Sequence, residues 1–192
     1  MGLDISNNDT LLINRTKDGD TGAFRQLVEK HKNVSLSLAC SILKDENKAE
    51  DVLQDVFIKV FEKIDTFNFN SIFSTWLYRI VVNTSYNELK KHKNHPSLSQ
   101  VDIKIEKSSG NMALNAFKEE EQKKYIQAAL KRLRADEALI LRLFYLCDLK
   151  IKEIEDITGF KNSKIKVDLH RGRINLNQEL KKLLGKEIHD LL

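Results

Sequence analysis

Between residues 21 and 91 apolar side chains recur at the spacing of helix turns rather than in the alternation of strands. Phe24, Leu27, Val28 and His31 mark one face of a first long helix that continues through Leu38 and Ile42, with Asp20 or Thr21 placed to cap its start. A second helix begins near Asn47, where Val52, Val56, Val60 and Ile64 form a row at i+4 and Leu53, Phe57 and Phe61 lie beside it. The stretch TFNFNSIFS, residues 66–74, breaks the period, being rich in Asn, Ser and Phe and poor in helix formers. A third helix then carries Trp76, Leu77, Ile80 and Val81 and runs to about Lys91.

Periodicity fades over 92–115, where Pro96, several serines and Gly110 collect. At roughly 24 residues this segment is long for a loop inside one compact domain, so it reads as a linker between two. Four helical segments follow. The first carries Ile126, Ala129, Leu130 and Leu133; the second Leu139, Ile140, Leu143 and Phe144; the third, short, Ile151, Ile154 and Ile157. Gly159 can end the third by taking the left-handed conformation. Asn162 or Ser163 can cap a last helix whose core face is Ile165, Leu169, Leu176, Leu180 and Leu183. A short helix, a glycine turn and a longer basic helix make a helix-turn-helix pattern. The expected fold is all-α: two small helical domains, 18–92 and 117–186, joined by a flexible linker over 93–116.

Composition agrees. Seven glycines and one proline among 192 residues suit a helical protein. No run of about 18 apolar residues offers a membrane span. The first ten residues are polar and lack the basic start and apolar stretch of a secretion signal; a cytoplasmic protein is expected, with no membrane insertion. Cys40 and Cys147 stand far apart among apolar neighbours and read as small core residues. His31, His92, His95, His170 and His189 are scattered, and His92 with His95 lack the further ligands a zinc ion needs. No cofactor or metal is expected. Neither a phosphate-gripping glycine loop nor a nucleophile elbow is present, which speaks against an enzyme.

Net charge is only +4 although 31% of residues are charged, so the distribution carries the information. The segment KNSKIKVDLHRGR, 161–173, sets five basic residues against Asp168 alone. With Ile165 and Leu169 facing the core, Lys164, Lys166, Arg171 and Arg173 fall on or beside an outward face fit to enter a DNA major groove. A solvated basic face is the plainer alternative. On the second helix Glu46, Glu50, Asp51, Asp55 and Glu62 form an acidic surface, the wrong sign for DNA and suited either to a basic protein partner or to water. The segment after it interleaves Phe67, Phe69, Phe73 and Trp76 with Asn68, Asn70, Ser71, Ser74 and Thr75. Aromatic and small polar groups together suit single-stranded DNA. Phe73, Trp76, Leu77 and Ile80 keep helical spacing and are expected in the core, which leaves Asn68, Asn70 and Ser71 for function. Arg79, Asn83, Asn87, Lys90 and Lys91 continue a basic-polar surface downstream.

Taken together, AEDVLQDVFIKVFEKIDTF with FSTWLYRIVVNTSYNELKK closely resembles region 2 of the extracytoplasmic-function group of sigma factors, the minimal members of the sigma-70 family. The stretch 130–176 is similar to their region 4. The resemblance implies an alternative sigma factor without catalytic activity. Asp51, Gln54, Asp55, Phe57 and Lys59 would lie in the helix docking on the coiled coil of the largest subunit of core RNA polymerase. Asn68, Asn70 and Ser71 would capture a flipped base of the −10 element, with Arg79, Asn83 and Asn87 on the adjoining reading helix. Lys164, Lys166, Asp168, Arg171 and Arg173 would lie on or near the −35-reading helix. The linker would thread the polymerase channels, promoter DNA would be the second partner, and an anti-sigma factor would occlude the polymerase-binding surfaces. The chain would associate with the nucleoid. It departs from the family pattern at Arg134, where proline is usual; at Glu155, where a small residue is; and at Gly172, where alanine is, at a cost of about 1 kcal/mol of helix stability. A helix-turn-helix regulator acting without polymerase, or an interaction protein of the anti-sigma kind, remain the rival classes.

Overall fold

The computed structural model describes residues 3–93 and 114–184, with side chains for 8–91 and 121–184. Most of the expected linker, 94–113, lies outside the described residues, as do the side chains of His92, His95 and His189 and the last two residues of the expected second domain. All regular structure among the described residues is helical, and none of these helices is long and apolar enough to cross a membrane.

The first half holds four helices: α1 (Leu3–Lys17), α2 (Thr21–Leu43), α3 (Glu46–Lys63) and α4 (Phe73–Lys93). Asp20 caps α2 by accepting from the amide of Ala23, and Asp45 caps α3 through that of Lys48. Ala49, Val52, Val56 and Val60 are buried along α3 against α2 and α4, as their spacing requires. Helix α1 lies where a polar segment was expected. It buries Leu12 and Ile13 and also Asp9, which accepts from Lys30 (2.6 Å) and lies 3.1 Å from His31 Nε2, both on α2. Gly19, at φ 91°, makes the turn between α1 and α2.

The second half holds α5 (Leu114–Arg132), α6 (Ala135–Leu141), α7 (Ile151–Thr158) and α8 (Asn162–Leu184). Helix α6 continues into a wider π turn over Arg142–Leu146. Gly159 ends α7 at φ 70°, as expected. Helix α8 starts at Asn162 itself, whose side-chain amide is directed to Glu155 (3.2 Å) rather than to the helix end. That hydrogen bond accommodates an acid where close helix packing favours a small residue. Gly172 is explained by approach: a methyl group there would meet Leu141 Cδ1 at 3.1 Å and Cγ at 3.2 Å. The absent side chain lets α8 lie against α6.

The halves pack on each other, a relation that periodicity does not encode. Helix α2 lies against α6, and α4 against α7, so that buried apolar residues form one connected core through both. Arg142, only 5% exposed, reaches across to Ser41 Oγ (2.7 Å) and is held by Gln127 Oε1 (2.9 Å). Tyr86 on α4 donates to Asp136 on α6 (2.7 Å), and Lys44 Nζ donates to the carbonyl of Leu130 (3.3 Å). Both cysteines are free and border this seam: Cys147 is hydrogen-bonded with Tyr78, and the charge of Arg142 is felt at both.

Candidate nucleic-acid interface

On α3 the valine row turns the opposite face to solvent. Asp51, Gln54 and Asp55 are exposed together, one turn apart. Phe57 and Lys59 are half-buried and flank them. The same face carries two exposed apolar groups: Ile58 (58% exposed), absent from the apolar rows expected above, and Phe61 (45% exposed, its ring 4.9 Å from that of Phe24), expected beside the valine row. Their spacing follows the acids, with Ile58 at i+4 from Gln54 and i+3 from Asp55. The signal was present in the sequence: Ile58 is out of phase with the buried row. An acidic stripe with an apolar centre is suited to a helical partner that offers basic and aliphatic side chains.

The segment between α3 and α4 passes through a 3-10 turn at Ile64–Thr66 and a short loop. Phe67 (3% exposed) and Phe73 (4%) belong to the core, with the half-buried Trp76 against both. Asn68, Asn70 and Ser71 are exposed, and the Asn68 carboxamide accepts from the amide of Asn70 (3.3 Å). Phe69 has its ring outside the core, 43% exposed, on a backbone at φ 61°. Lys17 from the end of α1 reaches this loop and donates to the carbonyl of Phe67 (2.6 Å). Downstream, Arg79, Asn83 and Asn87 are exposed at i, i+4 and i+8, one straight polar line along α4.

The C-terminal cluster divides. Lys166, Arg171 and Arg173 are exposed. Lys164, expected off the core face, is half-buried, and Asp168, expected on or near the reading helix, is buried. Asp168 is 7% exposed and paired with Lys164, whose ammonium also binds Asp136 (2.7 Å) and stands 4.0 Å over the ring of Phe160. The reason is angular: Asp168 adjoins Leu169 and follows Ile165 by three residues, so it lies on the core side of α8, and an i, i+4 partner makes burial tolerable. Burial alone would raise the Asp136 carboxyl, but hydrogen bonds from Lys164 and Tyr86 outweigh it and hold the group below its usual range. Arg173 is engaged as well, donating to the Tyr145 hydroxyl (2.7 Å). The free face of α8 is Ser163, Lys166, Val167, His170 and Arg171; Ser163, Val167 and His170 were not among the expected readers.

Comparisons with known proteins point to one family. The family model "Sigma-70 region 2" matches residues 27–95, and "Sigma-70, region 4" matches residues 123–176. The chain is 30% identical over 179 residues to the ECF RNA polymerase sigma factor SigW of Bacillus subtilis (strain 168), spanning 89% of this chain and 96% of that one. It is 29% identical over 186 residues to the ECF RNA polymerase sigma-E factor of Escherichia coli (strain K12), spanning 93% and 97% respectively. The sigma factor RpoE of Bartonella quintana, solved in complex with the anti-sigma factor NepR, has a similar fold (TM-score 0.64, 24% identity, 82% of this chain and 96% of that one).

Proposed function

The chain belongs to the extracytoplasmic-function sigma factors of the sigma-70 family, and from that premise we propose how its surfaces divide the work of promoter recognition. It is an alternative sigma factor, which directs transcription initiation by core RNA polymerase at promoter DNA and is not an enzyme. In the proposed division, the α3 stripe of Asp51, Gln54, Asp55, Phe57, Ile58 and Lys59 docks on the polymerase. Asn68, Asn70 and Ser71 take a base of the −10 element out of the stack, and Arg79, Asn83 and Asn87 follow the same strand along α4. Lys166 and Arg171 meet the −35 element from α8, with Arg173 beside them. Lys164 and Asp168 keep α8 in place from behind.

One observation carries this reading: the acidic outward stripe of α3 stands next to an exposed polar loop, so docking and base capture fall side by side. The −10 and −35 elements are by name about 25 base pairs apart, about 85 Å of duplex at 3.4 Å per step. In the packed arrangement only Asp136 separates Tyr86 on α4 from Lys164 on α8. The two halves therefore part along their seam when both elements are held. On polymerase, each weak contact then raises the effective concentration for the other. An anti-sigma factor, like the one bound to the Bartonella relative, is the proposed inhibitor and covers the α3 stripe. Association with the nucleoid follows from holoenzyme formation.

The test is a pair of variants. Asp55→Lys weakens binding to core polymerase by about tenfold or more, the equivalent of roughly 1.4 kcal/mol. Asn70→Ala combined with Ser71→Ala lowers open-complex formation while core binding stays intact. Unchanged core affinity in the first, or unchanged promoter melting in the second, removes the corresponding assignment.

A further inference from the structure

Of the aromatic residues around the loop, Phe67 and Phe73 are in the core and Trp76 is half-buried; Phe69 alone puts an exposed ring, 43% accessible, among the polar residues Asn68, Asn70 and Ser71. Its backbone is in the left-handed region, φ 61°, where a bulky side chain is unfavourable and glycine is at ease. The ring gains only partial burial in return. Two contacts hold it: the Phe67 ring, tilted by 62° with centroids 5.0 Å apart, and the Lys17 ammonium, 5.2 Å from the ring centre. Lys17 is itself fixed. It donates to the carbonyl of Phe67 at 2.6 Å and to that of Asp65 at 3.4 Å, so one side chain of α1 braces the backbone on which the ring stands.

We propose that Phe69 is a stacking platform for a nucleobase of the opened DNA strand, and that Lys17 is its positioning residue. This rests on the reading of the loop as the site of base capture and adds to it a second kind of contact. Amides at Asn68 and Asn70 address the hydrogen-bonding edge of a base, whereas an aromatic face takes up its π surface whatever the base is. Lys17 places a positive charge beside the ring, where the phosphate linking successive bases would pass. Phe69 thus supplies sequence-tolerant affinity, and the amides supply discrimination.

The experiment uses the full chain bound to core polymerase and a short single-stranded DNA oligonucleotide of mixed sequence carrying a fluorescent adenine analogue whose emission falls on stacking. Phe69→Gly is expected to lower affinity by about 5- to 150-fold, the range that corresponds to 1–3 kcal/mol for one stacked base, and to abolish the quenching. The same variant melts at a higher temperature than the parent, because glycine accepts the left-handed backbone. Phe69→Trp keeps affinity and quenching. Lys17→Met loses part of both, and Lys17→Arg restores them. If Phe69→Gly binds and quenches like the parent, the platform does not exist and the ring merely covers Phe67 and Lys17. Asn70→Ala with Ser71→Ala runs alongside: weakened binding there with an unaffected Phe69→Gly overturns this inference alone, while no effect in either overturns the loop reading as well.

Discussion

Ser41→Ala tests what holds the two halves together. The Ser41 hydroxyl donates to the carbonyl of Ser37 (2.9 Å) and accepts from Arg142 Nε (2.7 Å), so the serine is satisfied on both sides. Arg142 is buried, and among the described residues no carboxylate lies within ion-pair distance of it; its other hydrogen bond is to the neutral Gln127. Burial pulls the guanidinium down from its ordinary value, the sign of a cation kept in poor solvent. Removing one hydrogen bond to a buried charge costs about 1.5–3 kcal/mol. Ser41→Ala is therefore expected to shift the balance between packed and parted halves by roughly 10- to 150-fold. Arg142→Met removes the charge itself and leaves only the neutral Ser41 and Gln127 short of a hydrogen bond, so it is expected to cost less than leaving the charge under-bonded. The two changes together should cost no more than Arg142→Met alone, since the second removes what the first disturbs. Urea denaturation gives the stabilities, and energy transfer between dyes on the exposed faces of α3 and α8 reports the separation. A neutral Ser41→Ala, or an Arg142→Met as damaging as Ser41→Ala, refutes the assignment of Arg142 as the seam's dependent charge.

Asp136 should give the packed form an acid sensitivity. Its folded pKa lies below the ordinary 3.8, so the stability it contributes is complete above that value and is lost as pH falls through the folded one. Urea midpoints taken from neutral pH to about pH 3 should therefore fall more steeply for the parent than for Asp136→Asn; parallel curves contradict the Lys164–Asp136–Tyr86 relay. Lys44 caps α2 at φ 59°, and burial together with the charge of Arg142 pulls its ammonium down to about 8. Lys44→Gly should raise stability by about 1 kcal/mol in the same melts, by relieving the left-handed backbone and removing the charge. Arg171→Ala should weaken holoenzyme binding to a −35-bearing duplex by about 1–3 kcal/mol with the melt unchanged. Lys164→Met should instead lower the melting temperature; the opposite pattern would exchange the outward and inward faces of α8.

Helical period and turn chemistry located α2, α3, α4, α7 and α8 because those elements bury continuous apolar rows. Helix α1 was not legible for the opposite reason. Its buried face includes Asp9 and Thr16, which become acceptable inside only when Lys30 and His31 of α2, or the carbonyl of Leu12, meet them. Lys164 looked like a fully solvated charge for the same cause: polarity alone does not reveal its pairing with the buried Asp168 and with Asp136. The exposed Ile58 could have been found by phase against the valine row. Neither the seam nor the backbone of Phe69 could be, since both depend on contacts between residues distant in the chain, Arg142 with Ser41 and Lys17 with Phe67.

The most direct measurement is run-off transcription from a library of genomic fragments at low ionic strength, comparing core polymerase alone, core with the purified chain, and core with Asp55→Lys. Discrete transcripts are expected only when the parent chain is added, with a marked loss for the variant. A chain that does not join core polymerase, or that joins it and starts no transcript, contradicts the claim that the α3 stripe anchors a promoter-opening loop.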